Sequence, residues 1–144
     1  MFTPVSTRSA SAYKRVGIET SVEGANPHQL INLLFDALLQ SLAVARNAMD
    51  RKDIPGKGHA ICKAVRILEE GLKGALNEKD GGEVAGRLSS LYQYCSLRLT
   101  QANMANDDAM VAEVQRLIEP VASAWKSIGG TGLGYSQPAQ AAGA

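Results

Sequence analysis

The side chains in this 144-residue chain that could do chemistry are few: two histidines, two cysteines, and two tyrosines standing close to an arginine. His28 falls at the start of a predicted helix and His59 close to the start of the next, and neither sits in the Glu-x-x-His pairing by which helical bundles hold paired metals. No Cys-x-x-Cys-His run is present to attach a haem. A histidine phosphotransfer domain exposes one reactive His well inside a bundle helix beside a basic residue. His59 has Lys63 one turn on but lies too near its helix start. Gly56 and Gly58 follow no predicted strand and precede no Gly-Lys-Ser/Thr, so they form no phosphate loop. With no Gly-x-Ser-x-Gly and no paired carboxylates, the expectation is a protein that is not an enzyme and uses no metal or cofactor.

Cys62 and Cys95 both fall on predicted helices among apolar neighbours, where a free thiol packs as a small hydrophobe; their spacing matches no metal or redox motif. The polar cluster that stands out is Leu91-Tyr92-Gln93-Tyr94-Cys95, followed by Arg98, Asn103 and Asn106-Asp107. Tyrosines two apart on a helix project to different sides, so one packs inward and the other marks a wet edge. A structural or rim role is expected for Tyr92, Tyr94, Arg98, Asn103 and Asp107.

The elements that must position these groups read as helices throughout. Leu, Ala, Ile and Val dominate a chain that is 45% hydrophobic but 5% aromatic, which favours helices over a sandwich or barrel. Residues 1–25 hold seven Ser or Thr and one apolar island, Tyr13, Val16 and Ile18, and read as a loose arm. Asn26 as N-cap and Pro27 at the first helical position open helix 1, which runs to about Asp50. Arg51 to Gly58, with Pro55, Gly56 and Gly58, reads as a short connection, and helix 2 is expected to begin between Asp53 and His59. Helix 2 then carries Ile61, Val65, Leu68, Leu72 and Leu76 on one face, with Lys63, Arg66, Glu70 and Lys73 facing away. Gly81 and Gly82 break the chain before helix 3, whose inner face is Val84, Leu88, Leu91, Cys95, Leu99 and Ala102. After a turn over 103–107, helix 4 places Met110, Val114, Leu117, Val121 and Trp125 inward, with Pro120 removing one backbone bond and bending it. Residues 129–144 contain five glycines and no charge and are expected to be disordered. The fold class predicted is therefore all-α: an antiparallel up-down four-helix bundle over residues 26–128, between a flexible arm and a disordered tail.

Fifteen Lys and Arg against fourteen Asp and Glu, scattered rather than striped, argue against nucleic acid as the main partner. No apolar run approaches the roughly 18 residues that span a bilayer, and the first 24 residues lack the apolar core of a secretory signal, so a cytosolic protein without membrane insertion is expected. Helix 1, however, is over-supplied with apolar surface: fourteen of the twenty residues from Leu30 to Met49 are apolar, leaving a thin stripe of Asn32, Asp36, Gln40, Asn47 and Asp50. A bundle helix buries about a third of its circumference. Ile31, Leu34, Phe35, Leu38, Leu39 and Leu42 point over more than half of it, so some of them are expected to face a partner, with Tyr13, Val16 and Ile18 of the arm plugging the same groove when it is empty.

The order and spacing of several short runs resemble the FliS family of flagellin export chaperones: Ala12-Tyr13-Lys14; Asn26-Pro27-His28-Gln29-Leu30-Ile31 and Leu34-Phe35-Asp36; Leu91-Tyr92-Gln93-Tyr94, Arg98-Leu99, Ala102-Asn103 and Asn106-Asp107; and Ala124-Trp125-Lys126. The resemblance covers about residues 12–128. Two departures stand out: the family's usual Tyr-Asp-Tyr is Tyr92-Gln93-Tyr94 here, and its common second Arg before Arg98 is Leu97. The resemblance implies a bundle that binds the disordered C-terminal segment of flagellin in the cytosol, prevents its premature polymerisation and delivers it to the flagellar type III export gate, with the N-terminal arm covering the groove. An anti-sigma factor as a regulatory partner and a homodimer of the free chain are left open. The alternative is a signalling or regulatory bundle, for histidine phosphotransfer or anti-sigma-factor binding; phosphate on His59 would mark it, whereas a chaperone would bind a flagellin C-terminal peptide with a negative heat-capacity change.

Overall fold

A computed structural model describes Ser11 and residues 26–127. The arm residues Tyr13, Val16 and Ile18, the rest of 1–25 and the tail lie outside the described residues. Helix α1 (Pro27–Asp50) begins at a reciprocal cap: the Asn26 carboxamide oxygen accepts from the Gln29 backbone N–H at 2.8 Å, and the Gln29 side chain accepts from the Asn26 N–H at 2.9 Å. Helix α2 (Ile54–Arg66) starts within the expected window, with Pro55 in its first turn and Asp53 capping the Gly56 N–H at 3.1 Å. Gly56 is required there: a Cβ at this position would collide with the Asp53 carboxylate.

The α2 rod then widens into a π-helical turn (Ile67–Leu72) and closes with an α-turn (Lys73–Ala75). The wider turn holds Ile67, Leu68 and Leu72 at 0% exposure on the inner side. Helix α3 (Glu78–Ala105) contains the expected break, since Gly82 adopts φ +60° and ψ −140° inside it. It ends at Asn106 in the left-handed conformation, and Asp107 accepts from the Ala109 N–H at 2.9 Å to start α4 (Asp108–Ser127). Pro120 sits exposed within α4, which continues past it to Ser127.

Consecutive helices run antiparallel, and α4 returns against α1, so each helix touches its two ring neighbours while α1 and α3 lie across the diagonal. The described chain is the expected all-α four-helix bundle. Two long-range clasps fix the α1–α4 seam. At one end the His28 and Trp125 rings stack with centroids 4.9 Å apart; the indole N–H donates to the His28 carbonyl at 3.1 Å and His28 Nε2 donates to the Trp125 carbonyl at 2.8 Å. At the other, Arg46 forks onto both Asp108 carboxylate oxygens at 2.8 and 3.0 Å and reaches Gln115 at 2.7 Å. On the opposite seam Lys57, buried at 4% exposure, donates from Nζ to the Asn103 carbonyl at 2.9 Å and to the Asn106 side chain, satisfying the end of α3.

The core departs from the sequence reading in several places, Val65 of α2 being only half-buried. Val84 is exposed and Leu91 half-buried, while Ala85 and Tyr92 take the interior of α3. In α4 the inner row is Val111, Val114, Ile118, Ala122 and Trp125, with Met110, Leu117 and Val121 only half-buried. Both sides of that helix are apolar, so alternative rows one residue apart fit the same spacing. Cys62 is exposed and only Cys95 packs inside. Helix α1, though its apolar runs are short, is long and apolar enough by length and composition to cross a membrane, and its leucines form the core of the bundle.

Candidate client groove

The helix 1 residues expected to divide between core and partner do not divide evenly. Ile31, Leu34, Phe35, Leu38 and Leu42 are all at 0–1% exposure within one cluster, and Leu39 alone of the six is half-buried. The segment 67–72, which continues the α2 rod, packs against α1 as well, so α1 is lined along its length by that rod and by α4.

The open surface lies one step round the helix. Gln40, Ser41 and Val44 of α1 and Asp53, Pro55, Gly56, His59, Ala60 and Lys63 at the start of α2 enclose a groove of about 620 Å³, within the span of about 300–1,000 Å³ usual for binding clefts. It exists because the seam is made of small residues: Ser41, Gly56 and Ala60 leave the two helices without large side chains to interdigitate. Val44 is 48% exposed on one wall and Ile54 54% exposed near its end. Apolar floor and polar rim together suit the face of an amphipathic helix.

A second polar edge joins α3 to α4. The Tyr94 hydroxyl donates to Glu113 Oε2 at 2.6 Å and Arg98 donates to Glu113 Oε1 at 2.8 Å and to Gln101 at 3.0 Å. These hydrogen bonds, that from Tyr94 first, hold the Glu113 carboxyl below its usual range, and the same contact raises the Tyr94 phenol. Tyr92 is fully buried, Trp125 likewise, and Asn103 and Asp107 are half-buried at the α3–α4 turn. Burial pushes the Cys95 thiol up to about 12, with the Glu113 charge adding to it. Among the described residues no group of three or more His, Cys, Asp or Glu could hold a metal ion. His59 lies exposed at the groove rim. Sequence reasoning missed the groove because it searched for surplus large side chains; the signal was the row of small ones.

The model of the family described as Flagellar protein FliS matches residues 9–132. The chain is 44% identical over 117 residues to a flagellar secretion chaperone FliS from Salmonella typhimurium, an alignment spanning 81% of this chain and 87% of the relative. It is 46% identical over 121 residues to the flagellar secretion chaperone FliSB of Pseudomonas aeruginosa, spanning 84% and 95%. Against the FliS chaperone of Escherichia coli the identity is 39% over 119 residues, spanning 83% and 88%. On a match of this extent, the chain belongs to the FliS family of flagellar proteins.

Proposed function

We propose that this protein is a cytoplasmic flagellar secretion chaperone without catalytic activity, which holds the disordered C-terminal segment of flagellin, keeps it from polymerising and hands it to the flagellar type III export gate. The observation that carries the reading is the groove between α1 and α2, an apolar seam of about 620 Å³ that no described residue fills, beside a closed core. A segment that is unstructured alone gains order there by laying apolar side chains on Val44, Pro55 and Ala60, and the burial offsets its lost conformational entropy. The names of the relatives support the same reading, and the family match over residues 9–132 takes in the whole described bundle.

The test is calorimetric titration of the full chain with a purified flagellin C-terminal segment over a range of temperatures. Saturable binding with a negative heat-capacity change is expected, since apolar area leaves water. Absence of binding, with phosphate instead accepted on His59, would favour the signalling alternative and overturn the chaperone reading.

A further inference from the structure

Val84, Leu91, Leu117 and Val121 are residues that the apolar spacing places in the interior and that the fold leaves partly exposed, and they share one seam. Tyr94 and Arg98 of α3 both meet Glu113 of α4, which fixes the sides that the two helices turn to each other. In steps of three and four back from Arg98, that side of α3 carries Tyr94, Leu91, Arg87 and Val84. In steps of four on from Glu113, that side of α4 carries Leu117 and Val121. The Tyr94 and Arg98 hydrogen bonds close the seam toward the α3–α4 turn. Beyond them it is an apolar strip, with Leu91, Leu117 and Val121 half-buried and Val84 40% exposed. The charges beside it are matched, Arg87 with Glu83 at 2.8 Å and Arg98 with Glu113 at 2.8 Å, so the strip offers an occupant apolar surface and no charge.

The chain supplies an occupant of that kind. Helix α4 ends at Ser127, at the same end of the bundle as the start of α3 and so beside the Val84 end of the strip. Residues 128–144, which follow it and lie outside the described residues, hold Leu133 and Tyr135 after the pair Gly129-Gly130 and carry no charged side chain. Residues 1–25 join the bundle at the same end, where His28 meets Trp125, but they carry five charged side chains, Arg8, Lys14, Arg15, Glu19 and Glu23. We propose that the C-terminal segment turns back at Gly129-Gly130 and lays Leu133 and Tyr135 on the α3–α4 strip as a tethered cover. The reach suffices: at about 3.3 Å per extended residue Leu133 can stand up to about 20 Å from Ser127, whereas Val121 lies only about 9 Å back along α4 and Leu117 about 15 Å. Residues two apart in an extended segment point to the same side, so Leu133 and Tyr135 face the strip together while Gly132 and Gly134 add no bulk. The segment is too poor in apolar residues to build a core of its own, and two side chains on a ready surface need none. Both lie past residue 132, where the family match ends, so the cover is not part of the matched family pattern. A partner that docks on this seam must first displace a segment held there at high effective concentration.

The test uses the full chain, with methyl-labelled Leu and Val, and needs no flagellin. Nuclear Overhauser contacts are expected between the Tyr135 ring and the methyl groups of Leu117 and Val121. Chymotrypsin under native conditions is expected to cut after Tyr135 about fivefold faster in Leu133→Ser than in the wild-type chain, since cleavage tracks the undocked population. Leu133 lies outside the bundle, so its variant should keep the wild-type melting temperature. Val121→Ser should speed the same cut by a similar factor; if it unfolds the bundle instead, the Leu133→Ser rates and the Tyr135 contacts decide. Absence of those contacts together with equal cutting rates overturns the inference. It is overturned equally if the strip methyl signals move on deleting residues 1–24 but not on deleting 129–144, because the arm is then the occupant. Signals that shift with protein concentration as the sedimenting mass rises would assign the strip to a second copy and overturn it as well.

Discussion

Removing the indole of Trp125 tests whether the α1–α4 clasp holds the bundle as the geometry implies. Trp125 is at 0% exposure, its ring stacks on His28, and each of the two residues donates a side-chain hydrogen bond to the other's carbonyl. Trp125→Ala takes away a large buried ring and leaves a cavity, a change that costs about 3–5 kcal/mol. For a domain of roughly 100 residues each kcal/mol lowers the melting temperature by about 4–8 °C, so a fall of roughly 15–30 °C is expected. Trp125→Phe keeps most of the volume but loses the N–H. Because the His28 carbonyl retains its ladder bond within α1, that loss should be about 1 kcal/mol. His28→Ala strips the last-turn carbonyl of Trp125 of its partner and should cost about 1–2 kcal/mol; because each hydrogen bond ends on a backbone carbonyl, this loss should add to that of Trp125→Phe, leaving only the ring contact as a coupling of under about 1 kcal/mol. Urea unfolding followed by circular dichroism measures these variants against the wild-type chain. Trp125→Ala costing under about 1 kcal/mol would refute the reasoning.

Gly56→Ala should cost about 1–2 kcal/mol in the same urea assay, because its Cβ displaces the Asp53 carboxylate that caps α2. Lys57→Met keeps the buried stem but leaves the Asn103 carbonyl and the Asn106 side chain without their cation, and should cost about 1–3 kcal/mol. Since the Glu113 carboxyl is held below its ordinary value of 4.5, its contribution to stability is complete above that pH and is lost as pH falls through the lowered value; Glu113→Gln should flatten this acid limb of the stability curve. A thiol reagent should label one cysteine in the native protein and both in denaturant, because Cys62 is exposed while burial holds the Cys95 thiol near 12. Leu34→Asp should unfold the bundle, whereas Val44→Asp should leave its melting temperature within a few degrees and weaken flagellin binding at least tenfold, read by circular dichroism and calorimetry.

What the sequence showed plainly was what depends on a few adjacent residues. Asn26 with Gln29, the Gly81-Gly82 break and the Asn106-Asp107 turn each act through hydrogen bonds or backbone angles inside one short window, and each stands where local rules put it. The π turn at 67–72 was not legible, since no residue in Ile67-Leu68-Glu69-Glu70-Gly71-Leu72 demands it; packing against α1 and α3 together does. The inner row of α4 was misread because Met110, Leu117 and Val121 are as apolar as Val111, Ile118 and Ala122, and only the neighbouring helices decide between them. The clasps of Arg46 to Asp108 and of Lys57 to Asn103 join residues 62 and 46 positions apart, a distance over which periodicity carries no information.

The surplus of apolar residues on helix 1 is taken up mostly inside the described bundle, which is how it can be closed there and still carry a groove at its side. Large side chains such as Phe35 and Leu38 interdigitate with any helix that approaches, and the α2 rod and α4 supply that approach, so the surplus is consumed within the fold. Where Ser41 faces Gly56 and Ala60 there is little to interdigitate, and the two helices leave an apolar seam that their own side chains cannot fill. Among the described residues the groove stands open, and its large exposed apolar side chains are Val44 on the wall and Ile54 near its end. Its affinity must then come from side chains that the client inserts. The free protein can therefore remain a stable helical bundle, and an occupant can arrive and leave without disturbing the core of α1 beneath it.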